Sequence, residues 1–144
     1  MKPAEFIASL EDAKIVAAIQ AAEQRTSGEI RVWISRKSVG NAVAAAQQRF
    51  TKLRMQKTRD RNAVLLYFAP RTRIFAIIGD TGVHAKCGAE FWEKVAAQIT
   101  LDIHQGTITE AIVHAVHTVG ELLAAHFPYE SGDKNELSDA VGHD

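Results

Sequence analysis

The chain has 144 residues, 47% of them apolar, with 17 basic against 17 acidic residues and a mean hydropathy of −0.10. That content supports one domain with its own core, excludes disorder over most of the length, and leaves no apolar run near the ~20 residues a bilayer crossing needs. A single cysteine, Cys87, excludes an internal disulfide and a thiolate-cluster zinc site.

Met1-Lys2-Pro3-Ala4-Glu5 leads to the acidic Glu11-Asp12 without a long apolar segment, so no secretory signal is read there. Ser9 with an acid three residues on reads as a helix start, and Ile15, Ala18, Ile19 and Ala22 continue at helical spacing until Thr26-Ser27-Gly28. Alternation in Glu29 to Ser35 predicts a strand, and Val43, Ala46, Phe50 and Leu53 predict a second helix. Ala63 to Ala69 is apolar throughout, the mark of a strand covered on both faces. After Pro70-Arg71-Thr72, a run from Arg73 to Ile78 predicts an antiparallel hairpin partner, closed by Gly79-Asp80-Thr81-Gly82. Phe91, Val95 and Ile99 mark a third helix, and Thr107-Ile108-Thr109-Glu110 caps a fourth that ends at Phe127-Pro128. The helix between the first two strands makes them parallel through a right-handed crossover. The order is αβαββαα: an α/β, three-layer-like sandwich with a small mixed sheet (βαβ plus hairpin) flanked by helices. Residues 1–128 read as one domain and 129–144 as an acidic, irregular tail.

Charge is unevenly spread. Arg25 to Arg73 holds twelve basic residues and two acids, Glu29 and Asp60, leaving that segment at +10 and the rest at −10. Basic and aromatic residues do not interleave as in single-strand binders, so nucleic-acid binding through segment 25–73 is a distant alternative. Strand direction brings Glu29, Asp60, Asn62 and Asp80 to one sheet edge, with Thr26 and Thr81 nearby. Hard oxygen donors of this kind suit calcium or magnesium, though acids at strand ends are also ordinary turn residues. The opposite edge gathers Arg36, Lys37, Arg71 and Arg73 beside the helix beginning near Asn41, a candidate anion site without a Walker loop.

Other groupings have plainer readings. Glu110, His114, His117 and Glu121 share the polar side of the last helix, where a hydrated face competes with a zinc site. His104 and His126 lie near helix ends and read as caps as readily as functional groups. His84 and Cys87 lack an orienting acid, and a small buried thiol is the simpler reading. Trp33 and Trp92 are read as seals between sheet and helix. No hydrolase signature such as GxSxG or HExxH is present.

Four stretches taken together resemble the TPM domain, named from thylakoid-lumen acid phosphatase, photosystem II repair and acetylcholine-receptor modulator proteins. They are Ile19-x-x-Ala22-Glu23-x-x-Thr26-x-Gly28-Glu29-Ile30-x-Val32; Arg61-Asn62-Ala63-Val64-Leu65-Leu66; Ile74-x-Ala76-Ile77-Ile78-Gly79-Asp80-x-Gly82-Val83 with Trp92 following; and Phe127-Pro128 leading to Asn135-Glu136-Leu137-Ser138-Asp139. The resemblance implies an α/β sandwich, divalent-cation binding (often calcium), weak acid phosphatase activity, and roles in assembling or repairing membrane complexes. The family's polar residues at the second strand's entry and third strand's exit correspond to Asp60, Asn62 and Asp80, while Ala63 stands where many members have glycine. The chain resembles the short, stand-alone members of the cytoplasm. The expectation is therefore a cytoplasmic, calcium- or magnesium-binding module that engages an undefined protein partner. The alternative is a metal-assisted phosphomonoesterase in which Asp60 and Asp80 hold the metal and Arg59 or Arg61 stabilises the transition state.

Overall fold

The uninterrupted apolar run Ala63–Ala69 becomes a strand buried at every position, and the rest of the fold is arranged around it. A computed structural model describes residues 11–105, 108–129 and 137–144. Chain order gives α1 (Asp12–Glu23), β1 (Glu29–Ile34), α2 (Ala42–Lys52), β2 (Ala63–Ala69), β3 (Ile74–Gly79), α3 (Thr81–Cys87), α4 (Ala89–His104), α5 (Ile108–His126) and β4 (Gly142–His143). The expected capping residues Ser9 and Thr107, and the tail residues Glu130, Asp133 and Glu136, lie outside the described residues.

The sheet runs β3-β2-β1-β4. β1 and β2 are parallel, in register Glu29↔Ala63 through Ile34↔Phe68, and β3 returns antiparallel from Ala69↔Ile74 to Val64↔Gly79. Alternation along the strands sends Ile30, Val32, Ile34, Val64, Leu66 and Phe68 to one face, where α1, α4 and α5 cover them. Trp33, Leu65 and Tyr67 face the other way onto Ala46 and Phe50 of α2. The result is three layers, helix–sheet–helix, as the sequence pattern requires.

Two expectations are corrected. Residues 81–87, to which the sequence pattern assigns no element, form α3. Asp80 is its N-cap, accepting a hydrogen bond from the Thr81 N–H at 2.7 Å, and Val83 is buried. A seven-residue helix with one buried residue is too short to show a period. The tail, read as irregular, ends in β4, which pairs parallel to β1 at Trp33↔Gly142 and Ile34↔His143.

At the other end of the β1–β2 crossover, Asn41 caps α2 by accepting from the Ala44 N–H at 3.0 Å. Asn41→Ala should therefore cost about 1 kcal/mol, read as a lower denaturant midpoint at unchanged slope.

Candidate functional site

Parallel β1 and β2 with returning β3 place Glu29, Asn62 and Asp80 at one end of the sheet. Their side chains have separate partners. Asp80, buried, is gripped by the Arg61 guanidinium, Nε to Oδ2 at 2.7 Å and Nη2 to Oδ1 at 2.9 Å. Asp60, exposed, pairs with its neighbour Arg59 at 3.2 Å. Asn62 is buried, donates from Nδ2 to Ser27 Oγ at 3.2 Å, and receives no hydrogen bond at Oδ1 from the described residues. Glu29, also buried, lies against Glu23. The expected ligands share a rim, but they do not converge on one point.

The rim is held tight by a close backbone approach. The Gly82 N–H donates to the Arg61 carbonyl at 2.9 Å, which presses the 60–62 loop onto the first turn of α3. A Cβ at Gly82 would stand 2.7 Å from the Arg61 carbonyl oxygen and closer still to that of Asp60.

Around Glu29 lies a grouping the sequence pattern does not reveal. Glu23, the last residue of α1, accepts the Ile30 N–H at Oε2 (2.9 Å), and its carboxyl is within hydrogen-bonding reach of both Asp139 and Glu29. Burial pushes the Glu23 pKa far above the ordinary carboxyl value, and contact with the other two acids adds to this. The Ile30 N–H opposes it without reversing it. Burial and the neighbouring acids thus favour the protonated form of Glu23. Glu23 Oε1 and Asp139 Oδ1 are buried, and apart from that carboxyl proton they meet no donor among the described residues. The carboxyls form a string through Glu23. Among the described residues, no group of three or more His, Cys, Asp or Glu side chains is arranged to hold a metal ion. Glu23 and Asp139 were each legible in principle, because they stand inside the first and fourth stretches of the TPM resemblance. That they meet was not, because the tail is tied to the sheet through β4, which has no sequence signature.

At the carboxyl ends of β1 and β2 the expected anion residues divide. Lys37 lines a cavity of about 330 Å3 beside the start of α2, and Arg36 contributes its backbone N–H to that corner. Arg71 and Arg73 are exposed in the hairpin turn and do not line it. An anion is already there: the Asp144 carboxylate. Burial opposes its charge, but hydrogen bonds from Ser35, Trp33 and the Arg36 N–H, with the Lys37 charge, hold its pKa below the usual range.

The remaining candidates have local partners. His114 Nδ1 lies 2.8 Å from Asp102, whose pKa it lowers, and His117 pairs with Glu121 at 3.0 Å. Desolvation raises the pKa of the Cys87 thiol, more than Lys86 lowers it, so a thiolate nucleophile is disfavoured. Trp33 packs under α2, and Trp92 lies against Gly79. No helix among the described residues is long and apolar enough to cross a membrane.

Comparison with known proteins agrees with this architecture. The BA42 protein of the psychrophilic bacterium Bizionia argentinensis is similar at 33% identity and a TM-score of 0.86, over 94% of this chain and 95% of that one. The N-terminal domain of cg2496 from Corynebacterium glutamicum shares the fold at 17% identity, a TM-score of 0.56, and 90% and 75% coverage. No curated protein matches. Residues 1–122 match the TPM domain, and the chain belongs to that family.

Proposed function

We propose that the chain is a divalent-cation-dependent binding module, in which calcium or magnesium replaces the proton held by Glu23, and Glu23, Glu29 and Asp139 would close in from their string-like arrangement to hold the ion. The observation that carries this reading is the string of carboxyls around Glu23, with two buried oxygens that no described donor other than the Glu23 proton serves. Oxygen donors of this kind suit hard cations, and exchanging a proton for a cation relieves the desolvated acid. Asp139 enters with the tail, so the ion would fasten residues 137–144 to β1 and give the module a cation-dependent surface for a protein partner.

The phosphomonoesterase alternative requires Asp60 and Asp80 to share a metal while an arginine waits for phosphate. Both Asp80 oxygens already receive Arg61, and Arg59 is paired with Asp60, so this set fits a metal less well.

A calcium titration to millimolar concentration, followed by residue-resolved NMR and thermal melting, tests the proposal. The expected result is movement of the Glu23, Ile30, Glu29 and Asp139 resonances with a higher melting temperature, retained in Asp60→Asn and Asp80→Asn. Unmoved resonances at millimolar calcium would contradict it.

A further inference from the structure

The outer edge of β1 and the basic cavity beside it are jointly filled by four residues whose chemistry reads as a recognition sequence. Val141 is buried in the core on the α1/α5 side. Gly142 lies flat on the Trp33 indole, where any Cβ would overlap the ring. His143 turns back to Asp12, 3.3 Å away. Asp144 then enters the cavity. Its Oδ1 accepts from Trp33 Nε1 at 2.9 Å, and its Oδ2 accepts from the Arg36 N–H at 2.8 Å and from the Ser35 hydroxyl. Arg49 stands 3.7 Å from Oδ1 with its guanidinium 4.1 Å from the Trp33 ring centroid.

This is a built carboxylate receptor. Its donors come from a fully buried serine, a buried tryptophan and a strand-end amide, set at the end of a parallel strand. The cavity exceeds its occupant in volume and charge: Lys37, Arg49 and Lys52 line about 330 Å3 around one carboxylate. The occupant is held by a strand of two residues, which leaves it exchangeable.

We propose that the β1 edge and this cavity form a docking site for an extended acidic segment of another protein, reading apolar–Gly–any–acid, and that residues 141–144 hold the place in cis. Strand addition supplies backbone pairing, the Trp33 face demands glycine, and the cavity demands an acid, so specificity and affinity come from different residues. Charge complementarity selects the occupant: an acidic segment meets a basic cavity.

The test uses a peptide of residues 138–144, tagged with a zwitterionic rhodamine and amidated so that no terminal carboxylate adds charge, added to the full chain in chelator. The cis segment competes at an effective concentration on the order of millimolar, so the wild-type chain should bind weakly. Asp144→Asn loosens that competitor and should tighten peptide binding about tenfold or more, since it removes charge-assisted hydrogen bonds from the cis segment. Peptides with Gly142→Ala or Asp144→Asn should fail to bind. Should the Asp144→Asn chain not fold, NMR of the labelled wild-type chain with millimolar unlabelled peptide gives the answer: the signals of the displaced residues 141–144 should shift. Equal binding by the peptide variants, unmoved signals of residues 141–144, or an Asp144→Asn chain that binds no tighter than wild type would overturn the proposal. Release of the tail by inorganic phosphate without peptide binding would overturn it in favour of a small-anion site.

Discussion

Replacing Gly82 with alanine is expected to lower the melting temperature by roughly 10 °C, from a loss of about 3 kcal/mol. The new methyl group would meet the Asp60 and Arg61 carbonyl oxygens. Both are backbone atoms, so no rotamer change relieves the overlap. The Gly82 N–H bond to the Arg61 carbonyl must lengthen, and the loop carrying Asp60 and Asn62 must lift from α3. Gly40, where a methyl group would meet nothing within 4 Å, is the control, and Gly40→Ala should leave the transition nearly unchanged. Calorimetry of the two variants separates a packed glycine from glycine chemistry in general. Equal transitions would show that the rim yields freely.

The second large effect is opposite in sign. Glu23→Gln should raise stability at pH 7 in chelator by about 1–2 kcal/mol, as relief of an uncompensated buried acid does. The amide keeps an oxygen for the Ile30 N–H and offers N–H donors to Asp139 and Glu29. Since the folded pKa of Glu23 lies above its ordinary value of 4.5, the folded state holds a proton that the unfolded chain releases. The contribution of Glu23 is thus complete below pH 4.5 and fades as the pH climbs toward the folded pKa. The gain from glutamine should therefore be small near pH 4 and grow with pH. Denaturant melts of both chains across pH 4–8 check this, and a gain independent of pH would contradict it.

The parts of the fold legible in the sequence are those where burial imposes a period. Ala63–Ala69 showed a strand covered on both faces, Val43, Ala46, Phe50 and Leu53 placed a helix between parallel strands, and the short Pro70-Arg71-Thr72 link forced a hairpin. These fixed which residues share the entry rim. What stayed hidden depends on single contacts between distant residues. α3 was masked by Gly79-Asp80-Thr81-Gly82, which has turn composition, yet the same Asp80 is a helix cap and an Arg61 partner. β4 has two residues and so no pattern, and its anchor, the Asp144 carboxylate, reaches residues more than one hundred positions away. Asp139 meets Glu23 only because β4 brings it there. The charge asymmetry read from segment 25–73 was real, but the basic residues that reach an anion include Arg49 rather than Arg71 or Arg73.

The most direct test of the central claim is proton release on calcium addition at pH 7, measured in a pH-stat. A carboxyl string around Glu23 that exchanges its proton for a cation should release about one proton per ion bound, and Glu23→Gln should abolish that release. Calcium binding without proton release, or equal release from both chains, would contradict it.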